Sequence, residues 1–319
     1  MGIQHARSTA LLGHRVSAVC DPDLVRATAL ASLYPDCAVL TNAAEIRWHE
    51  VDAVFVCTPP FARGEVELQA ARAGVPFFLE KPIGLSAAQL LPALQAARAG
   101  HVITSVGYMN RYRASVRKAR ELLQGETILG LAAHWVGAAY RVPWWGKPEL
   151  SGGQLNEQCT HLIDLARHLC GEVSEVNAFA QPGPEGSGGT ASVSTVLRFH
   201  NGTLGSIFCG SLAKEKQIGL RVFTPRGQIV LDGWDFKWTP SPAFGELDLV
   251  EPDVFAAECA AFLNAVLGGK ASEIRCDLAD AMKTQRVVDA ARAALDGSGA
   301  KAIAAEIAGG ETNHALELA

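Results

Sequence analysis

Three side chains of this sequence could move a proton to or from a bound substrate: Lys81, Glu157 and His161. An imidazole has an ordinary pKa of about 6.5, which makes His161 the natural general base near neutral pH. Glu157 stands four positions earlier in a segment with helical periodicity, so its carboxylate can orient the imidazole and stabilise its charged form. Lys81 can donate a hydrogen bond to the same substrate hydroxyl or carry the proton itself.

The same helix offers an arrangement that could bind a metal. His161, Asp164 and His168 recur at helical spacing, and imidazole and carboxylate ligands on one helix face could hold zinc. A solvated or core-lining helix produces the same spacing, and a structural histidine is the simpler alternative for His161. We expect no metal here, and we expect Asp164 to help bind the substrate.

The elements that must position these groups change in character along the chain. The first third alternates short apolar strands with helices, which implies a parallel sheet covered on both faces. After about residue 125, strand pairs flank turns such as Asn201-Gly202, a strong hairpin signal. The predicted fold class is α/β: a Rossmann-like parallel N-terminal sheet, then a C-terminal α+β domain with a largely antiparallel open sheet. Helices are predicted over 24–33, 62–73, 87–99, 156–169, 254–267 and 277–295.

The N-terminus carries part of a dinucleotide-binding pattern. Such folds open with a strand and a glycine-rich loop that enters a helix, whose N-terminus attracts the pyrophosphate. Gly2 fits the last glycine of that loop, and Asp21 follows near the ~20-residue offset at which an acid binds the adenosine ribose. The first strand and two glycines are missing, and we expect either that an internal methionine was taken as the start or that the sequence is a shortened piece. Asp21 alone is equally consistent with a turn before Pro22.

Further cofactor contacts are expected where strands end. Thr58, Pro59 and Pro60 follow an apolar strand, at the edge where α/β sheets bind ligands, and a bare turn is the alternative. Glu80 precedes Lys81 in an extended segment and would point to the opposite side. We therefore assign Glu80 to structure or to cofactor contact, not to proton transfer.

A set of aromatic and arginine side chains could line the substrate cleft. Aromatic rings stack on sugar rings, and arginine binds carboxylate or hydroxyl groups. Ordinary packing in a core or interface is the alternative. The candidates are Tyr108, Arg111, Tyr140, Trp144 and Trp145.

Composition restricts the class of protein. The 319 residues are 49% hydrophobic and 19% charged, enough for about two domains with buried cores. A net charge of −5 argues against a dedicated nucleic-acid binder. No uncharged apolar run approaches the ~18 residues of a membrane span. The eight cysteines include no C-x-x-C pair, which favours reduced thiols and a cytoplasmic protein.

One long segment gives a more specific indication. Residues 51–83 read VDAVFVCTPPFARGEVELQAARAGVPFFLEKPI, followed by VGY at 106–108 and SGGQL at 151–155. This combination closely resembles the Gfo/Idh/MocA oxidoreductase family, and the resemblance extends from Gly2 to about Leu295. Apart from the missing first strand, the chain has Arg63 where histidine often follows C-T-P. It also has E-Q-C-T-H where D-x-G-x-H is common.

The resemblance implies a fold, a cofactor and an activity. Members combine a Rossmann domain with a C-terminal open-sheet domain, bind NAD or NADP, and mostly oxidise or reduce sugars, polyols and related carbonyl compounds. By position, Lys81 would be the catalytic lysine, His161 the catalytic histidine, and Glu157 the acid beside it. Asp21 favours NAD over NADP because its charge would repel a 2′-phosphate. Members often associate through the open sheet, so we expect a homo-oligomer, a dimer or tetramer.

We expect a dinucleotide-binding domain over 1–110, a substrate-binding and oligomerisation domain over 111–300, and a tail over 301–319. The leading function is NAD(P)-dependent hydride transfer to or from a sugar, cyclitol or related hydroxy or carbonyl compound. One alternative is a redox-neutral enzyme that uses NAD, such as an epimerase or a glycoside-cleaving enzyme. Another is a cofactor-free binding or regulatory protein, if the missing strand is a natural loss. Omitting a central strand would leave buried backbone groups unpaired, at about 1–3 kcal/mol each.

Overall fold

The structure, a computed structural model, describes residues 1–184, 189–295 and 301–303. Its N-terminal part alternates helices with short strands, as predicted. Asp23 begins the second helix by accepting the backbone N–H groups of Val25 and Arg26. The elements are α1 (Gly2–Leu11), β1 (Ala18–Cys20), α2 (Leu24–Ala31), β2 (Ala38–Leu40), β3 (Val54–Val56), α3 (Glu65–Arg72), β4 (Phe77–Leu79), α4 (Ala87–Ala99), β5 (Thr104–Val106) and α5 (Ala114–Leu122).

The N-terminal strands form two separate parallel sheets. β1 pairs with β2, whereas β3, β4 and β5 pair in that order. Within the described residues no strand joins β1 to β3. Phe77, Phe78 and Leu79 of β4 are all fully buried, as expected for a central strand covered on both faces.

The C-terminal part is built on one eight-stranded sheet. Its order is β12-β11-β10-β6-β9-β8-β7-β13, and β6–β9 is its one parallel pair among the strands described. The predicted fold class is therefore confirmed. The elements are β6 (Gly130–Ala138), α6 (Pro148–Ser151), α7 (Thr160–Cys170), β7 (Val173–Pro182), β8 (Thr190–Phe199), β9 (Leu204–Gly210), β10 (Leu212–Thr224), β11 (Gly227–Asp232), β12 (Lys237–Thr239), α8 (Val254–Val266), α9 (Leu278–Ala293) and β13 (Lys301–Ala302).

The predicted hairpin between β8 and β9 is present. Asn201 accepts the backbone N–H of Thr203, and Gly202 adopts a φ of +87°, which glycine tolerates at no steric cost. Residues of β9 alternate between exposed and buried, so one sheet face packs inward and the other is open. Large apolar side chains on exposed strand positions include Phe179, Val196, Leu204 and Phe208.

Helix α9 connects the two main hydrophobic cores. Leu278 and Met282 pack with the N-terminal strands, whereas Val287 and Val288 pack beneath the C-terminal sheet. Helix α8 returns to contact α1. The division at residues 110 and 300 stays a prediction, and residues 304–319 of the predicted tail lie outside the described residues.

Two predictions drawn from composition can be compared with the structure. None of the helices in the described ranges is long and apolar enough to cross a membrane. Cys159 and Cys209 lie close together, with Cα atoms 6.2 Å apart, while Cys170 and Cys259 are among the six free cysteines. The expectation of reduced thiols stays a prediction.

Candidate active site

Lys81 follows the carboxyl end of β4 and extends toward the C-terminal part of the chain. Its Nζ donates to the backbone carbonyl of Glu157 at 3.5 Å. Glu157 lies in the segment that leads directly into α7, whose second residue is His161. The fold therefore brings together two candidate residues that are separated by 76 positions in the sequence.

Glu80, next to Lys81, faces the interior of the N-terminal part. Its Oε1 lies 2.6 Å from Nε2 of His5, whose Nδ1 lies 3.2 Å from Sγ of Cys259. Burial alone would raise the pKa of Glu80, but His5 and Lys81 together hold that pKa below its usual value. A Cβ added at Gly107 would come within 3.2 Å of the Glu80 carboxylate, so glycine is needed beside it. These contacts support the structural assignment of Glu80.

Glu157 lies in a π-helical turn, Leu155–Cys159, that immediately precedes α7. Such turns are rare and occur frequently at functional sites. The Glu157 carboxylate accepts a hydrogen bond from Nε1 of Trp144 at 3.3 Å. Burial raises the pKa of Glu157, and Lys81 and Trp144 offset this only in part.

His161 is buried against aromatic rings. Its imidazole stacks on Trp135, with centroids 5.3 Å apart and planes 9° from parallel, and it meets the Tyr108 ring edge-on. Its Nδ1 has no hydrogen-bond partner among the described residues. Burial, followed by the charges of Lys81 and Arg113, lowers the pKa of His161 well below 6.5, so the imidazole is neutral at neutral pH.

The interaction expected between Glu157 and His161 does not agree with these contacts. The π-helical turn changes the four-residue register, and Glu157 bonds to Trp144 instead. The cations Lys81 and Arg113 act on the imidazole more strongly than any carboxylate. The expectation that Glu157 stabilises a charged His161 stays a prediction, and these charges do not support it.

Sequence reasoning missed Trp135 and Arg113. Trp135 occupies an inward position of β6 and is 1% exposed, and alternation along β6 could have shown that it is buried. Its partner His161 could not be read from any local pattern. Arg113 is held by the Asn110 side chain and by the carbonyl of Trp234, which fixes its charge near the imidazole.

Arg63, the departure from the common histidine, is a buried structural residue. Its Nη1 donates to the carbonyl of Val56 at 2.6 Å and lies 3.9 Å from Oε1 of Glu67. Burial lowers the pKa of Arg63 and raises that of Glu67. The guanidinium therefore joins the end of β3 to α3, and its charge reaches Glu157.

Three residues that we expected to bind substrate form hydrogen bonds with other buried residues of the protein. Arg111 donates to both oxygens of Asp164, at 2.9 and 2.6 Å, and also pairs with Asp280. The Tyr108 hydroxyl is 2.8 Å from Oγ1 of Thr160. All three side chains are at least 96% buried, since their exposed fractions are 4% for Arg111 and 1% for the other two. Their contacts favour the packing alternative, and substrate binding by them stays a prediction.

The two tryptophans differ in their surroundings. Trp144 is half-buried and contacts Glu157, beside the Lys81 ammonium. Trp145 is buried and packs edge-to-face on Tyr140, with centroids 5.1 Å apart. Trp144 is thus the aromatic candidate whose polar group contacts a candidate acid–base residue directly.

The candidate cofactor residues share the carboxyl edge of the parallel strands. Asp21 follows β1, Thr58 to Pro60 follow β3, and Lys81 follows β4. Thr58 and Pro59 are half-buried and Pro60 is buried. This edge is where open α/β sheets bind nucleotides.

The chemistry of this edge fits a dinucleotide. Gly2 begins α1, and a Cβ there would meet only the Cβ of Cys57, at 3.9 Å. The unpaired N–H groups of a helix N-terminus attract phosphate. Asp21 is partly exposed and offers the carboxylate that a ribose needs, although Arg26 lies 3.6 Å from it. Arg26 weakens the electrostatic rejection of a 2′-phosphate, so NADP stays possible.

The structure also shows where potential metal ligands gather. His5, Glu80 and Glu258 are the one such group within the described ranges, and all three are buried. Burial, and then the charge of Glu80, raise the pKa of Glu258 well above its usual value, so its carboxyl is held neutral. In α7, by contrast, Asp164 is bound by Arg111.

Comparisons with known proteins agree with this geometry. Residues 2–108 match the model of an oxidoreductase family with an NAD-binding Rossmann fold, and residues 116–230 match the GFO/IDH/MocA C-terminal domain. The chain belongs to the Gfo/Idh/MocA family. Its N-terminal part is an NAD-binding Rossmann domain of that family, and the resemblance seen in residues 51–83 is confirmed.

Individual relatives cover part of the chain. An inositol 2-dehydrogenase from Acidiphilium cryptum is 32% identical over 53% of this chain and 51% of its own length. A 2,7-anhydro-N-acetylneuraminate hydratase from Escherichia coli is 28% identical over 57% and 52%. The chain thus spans about half the length of most of these curated relatives. The solved UDP-N-acetylglucosamine 3-dehydrogenase from Acidithiobacillus ferrooxidans shares the fold, with a TM-score of 0.81 and 21% identity over 93% and 95% of the two chains.

Proposed function

We propose that this chain is an NAD-dependent oxidoreductase that transfers a hydride between nicotinamide and a carbon bearing a hydroxyl or carbonyl group of a sugar or cyclitol. The observation that carries the proposal is the approach of Lys81 to the segment bearing Glu157 and His161. NAD, when bound, supplies the hydride acceptor. Gly2, Asp21 and Thr58 are the residues proposed to hold it.

The proposed roles follow from the charges of the site. His161 is neutral, so it can accept the hydroxyl proton of a substrate. The Lys81 ammonium donates a hydrogen bond to the same oxygen and stabilises negative charge that develops there. Trp144 fixes the Glu157 carboxylate beside this pair, and Trp135 holds the plane of the imidazole.

The test compares Lys81→Ala with Lys270→Ala, which alters an exposed lysine outside the site. Titration with NADH and NADPH measures cofactor affinity, and a panel containing myo-inositol and levoglucosan, scored by NADH absorbance, measures turnover. We expect Lys81→Ala to leave NADH affinity nearly intact and to reduce turnover about 10²–10⁴-fold. Surviving turnover would remove the role proposed for Lys81, and absence of saturable nucleotide binding would favour a cofactor-free protein.

A second candidate is a redox-neutral reaction in which bound NAD is regenerated at each turnover. A relative named as a hydratase, 28% identical over its matched part, motivates this alternative. It would use Lys81 and His161 in the same way but release no NADH. Product analysis by mass spectrometry, alongside absorbance, distinguishes the two.

We further propose a homo-oligomer that is formed through the open sheet face, in the cytoplasm. The exposed apolar side chains of that face, Phe179, Val196, Leu204 and Phe208, support association. The six free cysteines support a reducing compartment. Size-exclusion chromatography with light scattering tests the first point, and a monomer at micromolar concentration would contradict it.

A further inference from the structure

A second cleft lies beside the parallel sheet of β3, β4 and β5. It has a volume of about 710 Å³ and opens beside Ile103 and Thr104, where β5 begins. Lys81 instead follows the carboxyl end of β4, which runs parallel to β5. The lining of the cleft includes neither Lys81 nor His161, and its size is within the range of about 300–1,000 Å³ that small-molecule sites occupy.

The lining of this cleft contains more cations than anions. Five arginines line it, against the three carboxylates of Glu172, Asp277 and Asp280. Arg111 and Arg167, both buried, form ion pairs with Asp280, and Arg167 also forms an ion pair with Glu172. Within the ranges that the structure describes, the side chains of the other three, Arg98, Arg120 and Arg275, form no ion pair.

The contacts of Arg275 with the described residues leave part of its guanidinium group without a hydrogen-bond partner. Its guanidinium packs over the Tyr112 ring at 5.4 Å, yet its Nε is buried without an acceptor in the described part of the chain. Burial, followed by repulsion from Arg117 and Arg120, lowers the pKa of Arg275. The guanidinium groups of Arg117, Arg120 and Arg275 thus lie close enough to repel one another, and none of the three forms an ion pair within the described residues.

His168 adds an unused polar group to the same cleft. Its Nε2 is buried and has no partner among the residues described. Burial, and then the charges of Arg111 and Arg120, lower the pKa of His168 to about 3, so it is neutral and can donate a hydrogen bond. The cleft therefore offers two arginine forks and an imidazole to one anion.

We propose that this cleft is a binding site for an anion that carries phosphoryl groups, contacted by Arg120, Arg275 and His168. Guanidinium groups bind phosphate oxygens in a bidentate manner, and a multiply charged anion compensates several of them at once. Arg98 and Arg120 lie in the last turns of α4 and α5, where cations also interact favourably with the helix dipole. Arg275 lies in no helix, so that explanation does not extend to it.

The test is isothermal titration of the full chain with inorganic pyrophosphate at low ionic strength. The double variant Arg120→Gln/Arg275→Gln is compared with Arg198→Gln/Arg221→Gln, which removes the same charge from the C-terminal sheet. We expect pyrophosphate to bind the unaltered chain and the control alike, and to bind the first variant at least about tenfold more weakly. Absence of binding, or equal binding to both variants, would overturn the proposal.

Arginine-selective modification gives a second measurement that needs no variant. Phenylglyoxal is applied with and without pyrophosphate, and the modified peptides are quantified by mass spectrometry. We expect pyrophosphate to protect Arg120 and Arg275, and to leave the exposed Arg221 unprotected. Equal modification of Arg275 with and without pyrophosphate would overturn the proposal. It would show that these arginines only pack against neighbours and stabilise helix ends.

Discussion

Replacing Asp164 by asparagine separates a structural role from a substrate-binding role. Asp164 is 1% exposed and accepts two hydrogen bonds from Arg111 and a third from Thr284. Asparagine has nearly the same shape but is uncharged, and one of its two terminal atoms is a donor that faces the guanidinium. The substitution therefore removes one charge-assisted bond and weakens the other.

The expected cost follows from these contacts. Hydrogen bonds to charged groups contribute about 1.5–3 kcal/mol each, and removing one partner of a buried ion pair costs about 3–5 kcal/mol. Arg111 also pairs with Asp280, so its charge is not left uncompensated. We therefore expect a cost at the lower end of the range for a buried ion pair, a loss of about 3 kcal/mol in the free energy of unfolding.

Urea unfolding followed by tryptophan fluorescence measures this loss. A matched control is Glu121→Gln, which breaks an exposed bridge to Lys118 of 3.0 Å and should cost below about 1 kcal/mol. Replacing both buried partners, Arg111→Met with Asp164→Leu, should restore part of the loss, because no unpaired charge then remains. An Asp164→Asn chain as stable as the unaltered one, but with a raised KM, would refute the structural role and favour substrate binding.

Three further predictions concern other parts of the molecule. The pKa of His168 is near 6.5 in the unfolded chain and about 3 in the folded protein, so the unfolded state binds more protons below pH 6.5. The free energy of unfolding should therefore fall by up to about 1.4 kcal/mol for each pH unit below 6.5. Urea unfolding of His168→Gln should show a smaller dependence on pH. Gly152→Ala should destabilise the protein more than Gly125→Ala. Both glycines have a φ near +76°, but only at Gly152 would an added Cβ meet a side chain, that of Asn156 at 2.8 Å. Equal urea midpoints of the two variants would contradict this prediction. Asp21→Ser should raise affinity for NADPH relative to NADH, as measured by fluorescence titration, and an unchanged ratio would show that Asp21 does not face the ribose.

The parts of the fold that could be predicted are those encoded locally. The apolar strand before Lys81 and the turn at Asn201-Gly202 depend on neighbours in sequence, and the structure agrees with both. The division of the N-terminal strands into two parallel sheets was not predicted. The features that were predicted need only a hydrophobic period or a turn signal.

The candidate site was less predictable because its electrostatics depend on distant residues. The helical spacing of Glu157 and His161 assumed an α-helix, and the π-helical turn at Leu155–Cys159 changed their relation. The stacking of Trp135 on His161 joins a strand to a helix, and no local pattern encodes it. Arg111 and Asp164 were assigned to substrate by residue type, whereas their pairing depends on how α7 and the start of α5 pack.

The surroundings of His161 and Lys81 together determine how the site can handle a proton. An imidazole stacked on Trp135 and close to two cations cannot hold a charge easily, so His161 is neutral at neutral pH. In the proposed reaction, it accepts a proton only when an anion lies nearby. A substrate oxygen placed between the two groups supplies that negative charge as its proton leaves. The Lys81 ammonium then stabilises the negative charge on the oxygen, and that oxygen stabilises the His161 imidazolium. Each new charge therefore forms next to a charge of opposite sign. In the proposed reaction, proton transfer to His161 therefore depends on the substrate being bound.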